Sequence, residues 1–130
     1  MSAIKCYYAH PMNLYGTELE NDDIIALLKM GFEVVNPNKQ RHQEACKDTT
    51  KWDSPMDYFV AMVAECDVVA YRAFPDGGIG AGVAKEVMVA RNDNKPCFEL
   101  AALEGRRVLP VDSTREHLKR FKDWSRKYDE

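Results

Sequence analysis

The chain has 130 residues, of which 45% are hydrophobic and 30% charged, with a net charge of −3 at neutral pH. That length fits one domain spanning 1–130, able to bury roughly two-thirds of its unfolded surface. The slightly acidic balance lacks the electrostatic pull that nucleic-acid binding draws on, so a small neutral or anionic ligand is the expected partner. No leading segment has signal-peptide character and no apolar run is long enough to span a bilayer, which makes the cytoplasm the default compartment and a membrane an unexpected partner. Cys6, Cys46, Cys66 and Cys97 are far apart. They lack zinc-site spacing, and three lie in or beside apolar segments, so they read as reduced, buried thiols.

In chain order, Ala3 to Ala9 reads as a strand. After a loop, Thr17 with Glu20 three residues on is a capping-box pattern that opens a helix, and Ile24, Leu27 and Leu28 give it an apolar face. Gly31 suits the left-handed residue that ends such a helix, and Phe32 to Val35 reads as a second strand. The stretch from Asn36 to Asp53 is polar and without sustained period, an excursion with room for one short helical turn. Ser54, Pro55 and Asp57 form a helix-start signature, followed by the apolar stripe Phe59, Met62, Val63 and Cys66 and then a strand over Asp67 to Tyr71. A glycine-rich turn leads into a helix running to about Asn92, and Lys95 to Phe98 enters a further strand. Arg107 to Val111 is read as a fifth strand, and a last helix carries Leu118, Phe121, Trp124 and Tyr128 on one face.

Strands that alternate with helices and are too hydrophobic for a half-exposed sheet imply an α/β fold. The expected architecture is a single Rossmann-like or flavodoxin-like three-layer domain with a mostly parallel five-stranded sheet. Ligands of such folds bind outside the carboxyl ends of the strands, where the loops after Tyr8 and Tyr71 emerge.

The run from Phe74 to Ala90 carries the chemistry. It places Glu86 at the start of an otherwise apolar helix, with Val83, Ala84, Val87 and Met88 around it and Gly82 one turn before it. A carboxylate so placed is costly unless hydrogen-bonded or used. With no side chain at Gly82 the surface beside it is open, and the N–H groups of the helix start favour an anion. A dinucleotide fingerprint fails in register, because the sixth position from Gly78 or Gly80 is Val83 or Lys85. A P-loop fails for want of a Lys-Ser or Lys-Thr pair after Gly82. No metal-binding or nucleophile-elbow motif is present, and neither a metal nor a cofactor is expected.

The pattern that remains, Gly80-x-Gly-Val-x-x-Glu86 followed by Lys95-Pro96, resembles the nucleoside 2-deoxyribosyltransferase family. The first strand ending Cys6-Tyr-Tyr-Ala-His-Pro11 and the later strand beginning Asp67-Val-Val-Ala are similar to that family in order and spacing, and the Gly-Val-x-x-Glu form looks like its deoxynucleoside 5′-monophosphate N-glycosidase branch. The resemblance implies cleavage or transfer at the N-glycosidic bond of a 2′-deoxynucleoside or its 5′-monophosphate, by way of a covalent glycosyl-glutamate. Glu86 would be the nucleophile, Tyr7 its hydrogen-bond donor and Asp57 a catalytic acid. Tyr8, Ala9, His10, Pro11, Asp76, Gly80 and Gly82 would contact substrate, and homo-oligomers would be formed. Tyr7 and Tyr8 alternate across the strand, so only one can face the ligand, and the family position favours Tyr7. The proton for the leaving base is open among Asp57, Asp76 and His10, while His42 and His117 read as solvated and Lys85 as an exposed helix residue. Many transferases have an aspartate where Gly80 stands, and the family's helix acid falls on Phe59 rather than Asp57. Those departures motivate a second expectation, a non-catalytic protein that senses or sequesters a nucleotide-derived ligand in the same pocket.

Overall fold

The computed structural model describes residues 3–74, 77–100 and 110–120. Within them a fully parallel four-stranded sheet is formed by β1 (Lys5–Ala9), β2 (Glu33–Val35), β3 (Val68–Tyr71) and β4 (Cys97–Glu99), in the order β2-β1-β3-β4. The helices are α1 (Glu18–Lys29), α2 (Gln40–Ala45), α3 (Pro55–Glu65), α4 (Ala81–Asn92) and α5 (Val111–Arg120), with a single 3-10 turn at Met12–Leu14. The α/β expectation is met by this arrangement, with four strands among the described residues. Of the fifth predicted strand, 107–109 lie outside the described residues, and Val111 is the first residue of α5 rather than part of a strand. Phe121, Trp124 and Tyr128 of the predicted last helix also lie outside them.

Alternation along β1 divides the core. Tyr7 and Ala9 join Val63, Cys66, Val69, Val83, Val87 and Ala90 beneath α3 and α4, whereas Cys6 and Tyr8 join Leu27 and Ala70 beneath α1. Helices therefore cover both faces of the sheet, which is why its strands carry apolar residues on both sides. Asp67 fastens β3 to β1: its backbone N–H donates to the Lys5 carbonyl at 2.8 Å, and its carboxylate accepts from the Lys5 N–H at 2.8 Å. Lys95, in the turn before β4, reaches back to the last carbonyls of α3, donating to Val63 at 3.0 Å and Ala64 at 2.7 Å. The Lys-Pro turn thus serves as a C-cap for a helix distant in sequence. Because β2 and β3 flank β1 on opposite sides, strand order reverses between β1 and β3, and the crevice above their carboxyl ends is where this topology opens a ligand site.

Two local expectations change. Thr17 caps α1, accepting from the Glu20 N–H at 3.3 Å, but the Glu20 carboxylate does not close the box; it turns inward. His42, expected in solvent, is buried by α2 against α3, where its Nδ1 lies 2.7 Å from the Tyr58 hydroxyl. No helix among the described residues is long and apolar enough to cross a membrane.

Candidate active site

A cavity of about 700 Å³ opens above β1 and β3. Its floor is Tyr7 from β1 and Glu86 and Val83 from α4; its walls are Pro11, Met12, Asn13 and Tyr15 from the loop after β1, Pro37 from the loop after β2, and Pro55, Met56 and Phe59 from the start of α3. Phe74, Gly80 and Gly82 complete the rim. Glu86 is the only acid among these lining residues, and it is 93% buried, with 7% of its surface exposed.

Glu86 lies in the second turn of α4, not at the helix start that the sequence suggested, because α4 begins at Ala81 with Gly80 as N-cap. The helix dipole falls off within the first turn, so it offers this carboxylate little. Burial pushes Glu86 up from 4.5 to about 7, and the hydrogen bond from the Tyr7 hydroxyl pulls the other way. Burial, followed by the charge and hydrogen bond of Glu86, drives the Tyr7 phenol well above its ordinary range, so Tyr7 remains a donor. Tyr15, facing the same cavity, is raised to about 12 by burial and by the charges of Glu86 and Glu20.

The two glycines beside Glu86 have no steric duty in the fold. A β-carbon on Gly80 would meet only the Phe74 ring at 3.5 Å, one on Gly82 only the Met56 sulfur at 3.8 Å, and Gly80 has an ordinary φ of −61°. Both are ordinary contacts that any small side chain tolerates, and both positions line the cavity. Their small size keeps space open there. The α4 ladder starts with the Ala84 N–H donating to the Gly80 carbonyl at 2.8 Å, so the N–H groups of Ala81, Gly82 and Val83 have no acceptor within the helix. Ahead of α4, the Phe74 N–H donates to the Gly78 carbonyl and the Gly77 N–H to the Phe74 carbonyl, each at 2.8 Å, with Gly77 at φ +87°.

The remaining residues singled out from sequence divide as follows. Tyr7, His10, Pro11, Gly80, Gly82 and Glu86 meet at the cavity. Tyr8 points to the opposite face and donates to Asp23 Oδ2 at 2.5 Å, and Ala9 is enclosed in the core beneath α3 and α4. Asp57 is exposed on the third residue of α3 and accepts from the Ser54 N–H at 3.2 Å, a capping box, because that helix start leaves its first amides without partners. Asp76 lies outside the described residues. His10 has both ring nitrogens engaged: Nδ1 lies 2.9 Å from the Tyr8 carbonyl and Nε2 2.7 Å from Glu20 Oε2. Its ring stacks on Tyr8, with centroids 3.8 Å apart, and leans on Tyr15.

Sequence reading missed Tyr15, Glu20, Asp23 and Arg72. Asp23, with none of its surface exposed, is gripped by both the Nε and Nη2 of Arg72, the Nε bond measuring 3.0 Å. A usable signal existed: Glu20, Asp23, Ile24 and Leu27 fall on one helical face, so the two acids share the buried side of α1 with its apolar residues. No model of a known protein family matches the sequence, and no curated protein does.

Proposed function

We propose that the protein cleaves or transfers at the N-glycosidic bond of a 2′-deoxynucleoside or its 5′-monophosphate through a glycosyl-Glu86 intermediate. The observation that carries this reading is the Tyr7–Glu86 pair, a desolvated carboxylate oriented by a phenol at the floor of a cavity that two sterically unneeded glycines keep open. An oxocarbenium-like centre needs an anion beside it, and a carboxylate can trap it covalently. In the first step a Glu86 oxygen bonds to C1′ while the C1′–N bond breaks and its electron pair leaves with the base, which takes up a proton. Water or a second base then displaces the glutamate, losing a proton and restoring the carboxylate.

Apolar walls at Met12, Met56, Phe59 and Phe74 suit a flat base, and Gly80 and Gly82 leave the backbone amides of the α4 start accessible to a 5′-oxygen. Of the proposed proton sources among the described residues, His10 lines the cavity and Asp57 does not. The same reading makes the domain Rossmann-like and the working form a homo-oligomer.

Incubation with a panel of 2′-deoxynucleosides and their monophosphates tests it. Free base should appear, and Glu86→Gln should abolish its release while far-UV circular dichroism is unchanged. Saturable binding without any base released would instead support a protein that sequesters such a ligand, a reading favoured by the absence of a second acid among the described lining residues.

A further inference from the structure

On the far side of the sheet from Glu86, α1 buries two carboxylates one helical turn apart, and each is fully engaged with groups from outside its own helix. Glu20 meets His10 Nε2 at 2.7 Å, accepts from the Gly16 N–H at 3.2 Å, and accepts from the Asn38 side-chain amide at 3.1 and 3.2 Å. Asp23 accepts from the Tyr8 hydroxyl and from the Arg72 guanidinium. His10 and Gly16 belong to the loop after β1, Asn38 to the loop after β2, and Arg72 is the first residue after β3. Asn38 is itself set by its N–H, which donates to Asn36 Oδ1 at 3.0 Å. The three loops so held are the ones that bring Met12 and Tyr15, Pro37 and Phe74 to the cavity.

We propose that Glu20 and Asp23 are positioning residues, a two-carboxylate brace on α1 that fixes the loops leaving β1, β2 and β3 and thereby shapes the substrate cavity from the opposite face of the sheet. Stability alone does not call for them, since burying carboxylates is expensive and apolar side chains fill a helix face at no such cost. What a pair of multidentate acceptors supplies is geometry. Each carboxylate has lone pairs for several donors in fixed directions, so one rigid helix sets the mutual spacing of three otherwise independent loops. Misplacing a binding wall by about an ångström costs up to roughly 100-fold in rate or affinity.

The proposal rests on the cavity being the substrate site, and its test separates the two. Where wild-type protein releases base, Glu20→Gln should raise KM roughly 10-fold or more, with kcat changed far less, and Asn38→Ala should act in the same direction but more weakly. Asp22→Asn, on the exposed side of the same helix, should match wild type. Hydrogen–deuterium exchange should rise together at 11–15 and 36–39 in Glu20→Gln, and at 72–74 in Asp23→Asn, while the strands remain protected. Unchanged KM and kcat in Glu20→Gln, or exchange raised within α1 alone, would overturn the brace. If the wild-type protein releases no base, the glycosidic reading fails, and the exchange pattern still decides whether α1 holds the three loops.

Discussion

Glu86 keeps a titrating proton in a place where most proteins would put an apolar atom, and its pH behaviour follows from that. In the unfolded chain it loses the proton near 4.5, while in the folded protein it holds it until about 7. Between those values the folded state binds more protons, so stability is greatest below the unfolded value and falls as pH rises to about 7, by on the order of 3 kcal/mol from this residue. Glu86→Gln removes that titration. Urea unfolding at pH 5 and pH 8 should show wild type losing stability relative to Glu86→Gln as pH rises, and parallel behaviour of the two proteins would refute the desolvated carboxylate. In the proposed mechanism the nucleophile is the ionised form, so base release should rise through an acid limb near neutrality. Tyr7→Phe takes away the one hydrogen bond that opposes desolvation, so the limb should move to higher pH, with a roughly tenfold greater loss at pH 6 than at pH 8.5. A limb at the same pH would mean that the Tyr7 bond does not tune Glu86. Glu86 was legible from sequence because a lone acid in an apolar helix after clustered glycines has few structural reasons to exist. The choice of Tyr7 over Tyr8 as its partner came from the family resemblance, since strand alternation says only that the two diverge.

At the scale of the element, α4 separates the demands of folding from those of the cavity. Gly82 sits at a helical position with room for a β-carbon, so Gly82→Ala should leave stability unchanged or improve it by up to about 1 kcal/mol. The same methyl projects at the cavity beside Glu86, so KM should rise. A thermal melt paired with a KM measurement checks this, and a variant that gains stability with no change in KM would show that the glycine was not reserving space for a ligand. For α3 the sensitive point lies outside the helix. Lys95→Met removes the ammonium that satisfies the Val63 and Ala64 carbonyls and should cost about 1–2 kcal/mol in urea unfolding. Start and stop chemistry was readable for both helices: Ser54-Pro55-Asp57 did open α3, and Gly31 does follow α1 with φ +94°. The inner face of α1 was misjudged because a helix-start acid satisfies a local rule whether or not its carboxylate has a better partner far away.

Across the whole molecule, the fold buries a carboxylate on either side of β1, Asp23 on α1 and Glu86 on α4. Tyr7 and Tyr8, adjacent in sequence, each donate to a carboxylate, but among the described residues no cation pairs with Glu86, whereas Asp23 has the Arg72 guanidinium. Asp23→Ala would deprive Arg72 and Tyr8 of their shared acceptor and should cost about 3–5 kcal/mol, against less than about 0.5 kcal/mol for Asp22→Ala on the solvent side. Equal losses in chemical denaturation would show that the Asp23 network contributes no more than a surface charge. By itself the sequence determined the alternation of strands and helices, the glycine-rich turn and the acid that follows it, because periodicity, capping residues and glycine act within a few positions along the chain. Only the tertiary structure decided that Glu20 and Asp23 face inward and that Lys95 closes α3, because each of those side chains is satisfied by groups many residues away and no local pattern encodes which distant partner the sheet order brings within reach.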